Sequence, residues 1–380
     1  MVSRFIRPRR PLAALSSKEK TPVLGGIVRI AQVAPLYESV PPKLYGGTER
    51  VVSYLTEELV RAGHEVTLFA SGDSETAANV VSPCRKALRL DPRCVDQMAY
   101  HILMLEEVCQ LANQFDIIHY HVDYLHFPAS RRSAVPTVTT LHGRLDLDDL
   151  IPLYQEFGEM PVVSISDAQR QPLPWVNWVS TIHHGLPEDL YTFHDEPGKY
   201  LAFLGRISPE KGVDHAIEMA KRAGIPLKIA AKVDRADREY FEARIKPLLD
   251  HPLIDYIGEI GEKGKDEFLG NALALLAPVN WREPFGLVLI EALACGTPVV
   301  AYNRGSVPEI VTDGVTGFVV PDLDTAIASI GRLPELRRAA CRLDFEARFT
   351  ARRMRRDYER AYRKLIRSQA APPLLAARAG

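Results

Sequence analysis

Asn280-Trp-Arg-Glu-Pro-Phe-Gly-Leu-Val-Leu-Ile-Glu-Ala-Leu-Ala-Cys-Gly-Thr-Pro298 decides how the rest of the chain is read. Glu283 stands in a turn signal, ahead of Pro284 and Phe285-Gly286, and a helix-like segment follows. In that segment Glu291 is the only charged side chain among Leu287, Val288, Leu289, Ile290, Ala292, Leu293 and Ala294. A helix apolar on nearly every face belongs in a core. A carboxylate there is costly unless it is paired or hydrogen-bonded. Two readings follow from the residues. Glu291 is a structural carboxylate satisfied by backbone or by an arginine, or it reaches the open end of the helix and accepts hydrogen bonds from ligand hydroxyls. On the second reading the turn from Glu283 to Gly286 presents backbone N–H groups at a helix N-terminus, where they suit an anion or sugar oxygens.

Outward from this stretch, strand-length apolar runs alternate with amphipathic ones. The first series falls at 28–34, 66–70, 116–120, 137–141, 162–166 and 180–183, and the second at 200–205, 227–231, 254–258, 273–278, 298–301 and 317–320. Helical periodicity fits between them. Val51, Val52, Leu55 and Leu59 form one stripe that stops at Gly63, and a similar pattern over 214–222 stops at Gly224. Ser306-Val-Pro-Glu309 reads as a capping box. Such alternation predicts an α/β protein with parallel sheets covered by helices on both faces. The turn-rich segment 186–199 lacks periodicity and separates the two series. The predicted organisation is a disordered leader over 1–26, one Rossmann-like domain over 27–190, a second over 191–345, and a disordered tail over 368–380.

A chain of 380 residues exceeds what one core usually organises, in keeping with two domains. Its 47 basic and 48 acidic residues give a net charge of −1, which excludes a global pull toward nucleic acid or membrane. Five scattered cysteines without a Cys-x-x-Cys pair predict reduced thiols in a cytoplasmic protein. No apolar run approaches the roughly 20 residues that span a bilayer.

Several short patterns carry candidate chemistry. Arg206 and Lys211 flank the turn after the first strand of the second series, where a forked and a point cation suit a diphosphate; a solvated basic turn paired with Glu210 is the plainer reading. Gly46-Gly47 lets the backbone approach a ligand closely. It is not Gly-x-Gly-x-x-Gly, which disfavours a dinucleotide dehydrogenase, and the glycine spacing over 258–265 is not that of a P-loop. His142 ends a strand of the first series, as a substrate hydrogen-bonding group or a turn histidine. His119 and His121 share one strand face with His126 nearby, yet no thiol or carboxylate completes a metal set. Asp146-Leu-Asp148 and Asp322-Leu-Asp324 read as helix-leading acids, so no metal is expected.

Together these residues resemble the family 4 retaining glycosyltransferases of the GT-B fold over 27–367. The most specific signature is Glu283-x7-Glu291. It is supported by Gly205-Arg206, Lys211-Gly212, Val307-Pro-Glu-Ile-Val311, Asp313-Gly314, Thr316-Gly-Phe318, Gly46-Gly47 and His142-Gly143. The resemblance implies two Rossmann-like domains facing a central cleft, with a nucleotide diphosphate sugar as co-substrate, no other cofactor, and a small-molecule, glycan or lipid acceptor. It implies that Arg206 and Lys211 neutralise the diphosphate and that Glu291 binds the ribose. Glu283 with Phe285, Gly286 and Leu287 would hold the donor sugar, Gly46 and Gly47 would approach the donor, and His142 would touch the sugar from the other domain. It further implies a C-terminal helix, 346–367, packed back on the first domain through Tyr358, Ala361, Tyr362 and Leu365, with peripheral membrane contact through its arginines as a second reading. Departures at Asn280, Trp281 and His184, where the family more often has small residues or Asn, bear on donor identity. A sugar-nucleotide epimerase and a catalytically silent nucleotide-sugar binder are the competing functions.

Overall fold

The structure is a computed structural model that describes residues 26–43, 46–196 and 198–370. The leader, Gly26 apart, and the tail beyond Ala370 lie outside the described residues.

Seven strands form the first sheet: β1 (Arg29–Val33), β2 (Glu65–Phe69), β3 (Asn79–Val81), β4 (Ile117–Tyr120), β5 (Thr137–Thr140), β6 (Val162–Ser164) and β7 (Trp178–Thr181). Their order across the sheet is β3-β2-β1-β4-β5-β6-β7, and every pairing is parallel. The second sheet holds β8 (Tyr200–Arg206), β9 (Leu227–Lys232), β10 (Ile254–Gly258), β11 (Ala272–Ala277), β12 (Val299–Tyr302) and β13 (Gly317–Val320). Its order is β10-β9-β8-β11-β12-β13, again all parallel. Parallel strands buried on both faces read as continuous Val/Ile/Leu/Ala runs, which is why twelve of these strands are visible in sequence. The short edge strand β3 is not visible. Its side chains are half-exposed or exposed and carry no burial pattern.

Each sheet reverses its strand order once, between β1 and β4 and between β8 and β11. Such switch points open a crevice beyond the carboxyl ends of the strands. The helix Leu287–Ala294 begins beside the second crevice because Gly286 adopts a left-handed conformation, φ 84°, that turns the chain sharply into it. Leu289, Ile290, Ala292 and Leu293 are buried in the core on one face of the second sheet, and Glu291 is buried among them.

The helix Ala351–Ala370 lies against the helix Gly47–Arg61 of the first domain. Tyr358, Ala361 and Tyr362 are buried there with Val51, Leu55 and Val138, and Leu365 packs at the margin. Arg353 ties the same helix to the interdomain connection by donating to the carbonyls of His183 (2.6 Å) and His184 (2.9 Å). The helix runs through Ala370, so 368–370 belong to it and not to the tail: Ser368 donates to the Lys364 carbonyl and Gln369 to that of Ala134.

The capping box at Ser306 does not form. Ser306 Oγ donates to the Phe285 carbonyl at 2.8 Å, and the Glu309 carboxylate accepts from the Asp167 and Ala168 N–H groups of the other domain, both at 2.7 Å. Both side chains are drawn off by tertiary partners that a local pattern cannot reveal. Asp322 does cap its helix, accepting from Thr325 N–H at 2.9 Å, whereas Asp146 is held by Arg144 at 2.6 Å.

Replacing Tyr358 by Ala, a fully buried ring joining this last helix to the first sheet, is expected to cost about 3–5 kcal/mol. Urea unfolding of the two proteins measures it.

Candidate active site

Both switch points open onto one cleft of about 600 Å³. From the first domain it is lined by Gly46, Gly47, Arg50, His121, Asp123 and His142, and from the second by Arg206, Lys211, Lys265, Glu283, Phe285, Gly286, Leu287 and Glu291. The residues that the resemblance assigns to the donor therefore converge on one space, whereas His119, His126, Asp146 and Asp322 do not line it. Gly47 stands opposite the start of the Leu287–Ala294 helix, where a Cβ would come within 3.7 Å of Leu287 Cδ1. The N–H groups of Phe285, Gly286, Leu287 and Val288 have no acceptor among the described residues, as expected of the first turn of a helix.

Lys211 owes its position to Gly212, which holds φ 67° and sits so close to Pro278 that a Cβ would lie 2.2 Å from its carbonyl oxygen. Lys211 Nζ donates to Glu283 Oε2 at 2.5 Å, the Trp281 indole N–H donates to the same oxygen at 2.9 Å, and Nζ lies 5.2 Å from the Trp281 ring centre. Glu283 is thus buried, charge-paired and oriented from two sides. Arg206 lies at the end of β8, paired with Glu210 and with Asp237 at 3.4 Å. Arg206 thus lines the cleft and is also engaged by carboxylates, including the Glu210 pairing that the plainer reading expects.

Glu291 finds its partner in neither backbone nor arginine. Lys265 Nζ donates to it at 2.7 Å and reaches Glu262 at 3.6 Å, and Glu262 pairs in turn with Arg50 of the first domain. Lys265 lies in the segment 258–265, which in sequence offers only a failed P-loop. Its relation to Glu291 is a contact between the helix Glu262–Gly270 and the helix Leu287–Ala294, with no local signature. Asp123 is a further residue missed in sequence. It is the one non-glycine residue with positive φ (49°) among those described, and it opens to the water of the cleft from the loop after β4. Its place just past a strand end was the available clue.

The histidines form a buried group. His142 Nε2 meets His121 Nδ1 at 2.9 Å, and the His184 ring stacks on His142 with centres 5.3 Å apart and contacts Phe285 at 4.8 Å. Burial holds His119, His121 and His184 well below the usual histidine range and His142 down to about 3. His119 on β4 and His121 just past its end have ring centres 4.0 Å apart, while His126 stacks on Tyr120. Among the described residues no group of three or more His, Cys, Asp or Glu side chains is arranged to hold a metal ion, and no helix is long and apolar enough to cross a membrane. On the C-terminal helix Arg352 pairs with Glu188, Arg353 with Asp357 and Arg355 with Glu359.

Residues 45–206 match the family description Glycosyltransferase Family 4, and residues 192–338 match Glycosyl transferases group 1. The chain belongs to these glycosyltransferases. The phosphatidyl-myo-inositol mannosyltransferase of Mycobacterium leprae is 26% identical over 329 residues, spanning 79% of this chain and 85% of that protein. Among solved structures, the sucrose-phosphate synthase of Thermosynechococcus elongatus superposes with a TM-score of 0.71 at 20% identity, covering 90% of this chain and 100% of that one. Anabaena HepE, solved in complex with UDP and glucose, gives 0.69 at 17% identity, covering 89% and 100%. The fold of the enzyme is GT-B.

Acid should unfold this enzyme early. His119, His121 and His126 are buried and depressed below their ordinary value of 6.5, so below that pH the unfolded chain binds more protons than the folded one. Their contribution is complete above about 6.5 and is lost as pH falls toward the folded values, at about 1.4 kcal/mol per pH unit for each. Thermal melting between pH 7.5 and 5 is expected to fall steeply. In His126→Gln the slope should be lower by about one proton.

Proposed function

We propose that the enzyme transfers a hexose, with retention of anomeric configuration and without a metal, from a nucleotide diphosphate hexose of the UDP-glucose type to a hydroxyl acceptor. The observation that carries this reading is the Lys211–Glu283 pair beside the unmatched N–H groups at the start of the Leu287–Ala294 helix. These place a cation, a helix N-terminus and a hydroxyl-accepting carboxylate within one cleft. The complex of HepE with UDP and glucose and that of a starch synthase with ADP and acarbose offer ligands of matching chemistry on the same fold.

In this reading the departing diphosphate gains charge as the bond from the sugar's anomeric carbon breaks. Lys211, Arg206 and the helix N-terminus stabilise that charge where other transferases use a metal. Glu283, already oriented by Trp281 and Lys211, accepts hydrogen bonds from sugar hydroxyls, and Glu291 accepts from the ribose while Lys265 turns toward the ligand. The acceptor oxygen attacks on the face the phosphate leaves, and a phosphate oxygen takes its proton. Scattered thiols and a nucleotide-sugar donor suit a cytoplasmic enzyme.

A thermal-shift panel of UDP-, GDP- and ADP-hexoses tests the donor: a ligand at 100 times its dissociation constant adds about 2.7 kcal/mol of stability. Lys211→Ala and Glu283→Gln are each expected to lower transfer about 100-fold or more with the fold intact. Full activity in either variant, or a trapped glycosyl adduct on Asp123 or Glu283, would refute the proposed roles.

A further inference from the structure

A single chain of buried hydrogen bonds runs from the C-terminal helix to the cleft. Gln32, on β1, donates from Nε2 to Tyr362 Oη at 3.0 Å. Tyr362 Oη in turn meets His119 Nδ1 at 2.7 Å, and His119 Nε2 meets Thr140 Oγ1 at 2.7 Å. On its other side the Gln32 carbonyl Oε1 lies 2.8 Å from His121 Nε2. With the Gln32 amide assigned so that its Nε2 donates to Tyr362, its oxygen only accepts, and His121 then carries its proton on Nε2. A neutral imidazole has one N–H, which leaves His121 Nδ1 as an acceptor, and the His142 Nε2 at 2.9 Å must donate to it. His142 is then left with a lone pair on Nδ1. That nitrogen has no partner among the described residues, and the ring lines the cleft.

We infer that Gln32 and His121 are positioning residues that hold His142 as a hydrogen-bond acceptor toward the cleft, so that the site selects a donor sugar bearing a hydroxyl, and rejects one bearing a carboxylate, at the position facing His142. This rests on the nucleotide-hexose reading above. A hydroxyl donates its proton to Nδ1. A carboxylate there brings two acceptor oxygens against a third acceptor, while Lys211 is shared between Glu283 and the diphosphate. A buried acceptor left without a donor is the stronger source of discrimination in such sites.

The protein labelled with 15N-histidine reports the tautomer directly in long-range proton–nitrogen spectra, with the His142 signals assigned from His142→Asn. The expected result is a protonated Nε2 and a bare Nδ1, and the reverse pattern would overturn the relay. Matched donors, UDP-glucose and UDP-glucuronate, test the selection. Wild type is expected to favour the hexose about 100-fold or more in kcat/KM. Gln32→Leu, which frees both histidines to change tautomer, should lower that preference at least about 10-fold. Gln32→Glu keeps an acceptor for His121 and should retain it. Equal use of the two donors by wild type overturns the selection. Absence of a thermal shift with either UDP sugar refutes the donor reading and the selection with it, while the spectra decide the relay by themselves.

Discussion

Parallel strands cannot be joined by tight turns; each must be followed by a crossover that returns the chain to its start. Every segment leaving a strand therefore emerges on the same edge of its sheet, and the rest of this molecule depends on that constraint. Gly46-Gly47, the 121–123 segment and His142 follow β1, β4 and β5. Arg206 ends β8, Lys211 follows it, and Glu283 follows β11. Turned toward each other, the two edges gather into one cleft several short runs of chain, among them 46–50, 203–206 and 283–289, that lie far apart in sequence.

Besides apolar packing of Tyr54, Ile165 and Leu287 across the domains, a few polar contacts tie the two edges together. Ser166 Oγ donates to the Pro284 carbonyl at 2.7 Å, Glu309 takes two backbone N–H groups of the first domain, and Arg353 gathers the carbonyls of the connecting segment. Each satisfies groups that would be costly to bury unpaired. The C-terminal helix has a second task, because its tyrosines complete the hydrogen-bonded chain behind His142. Packing on the far side of the sheet and chemistry in the cleft are parts of one arrangement.

Repeated parallel strands are readable because burial on both faces demands unbroken apolar runs, and helix stops at Gly63 and Gly224 are readable because their cause is local. The turn signal before Glu283 and the sharp entry into the following helix are local too, and Gly286 shows it in its φ of 84°. Asp123, Lys265 and Arg50 were not readable. Each matters through a side chain or a backbone angle whose significance arises only beside partners distant in sequence. The Ser306 and Glu309 pattern shows the converse. A valid local motif lost its local meaning once Phe285 and the 167–170 turn came within reach.

The sequence by itself determined the fold class, the family and part of the set of residues that meet in the cleft, since periodicity and ordered motifs are properties of the chain. The tertiary structure decided who partners whom. It placed Lys265 on Glu291, Trp281 and Lys211 on Glu283, and Gln32 behind His121. The reason is physical: the charge, tautomer and orientation of a buried polar group are set by the donors and acceptors packed around it, and folding alone brings those together.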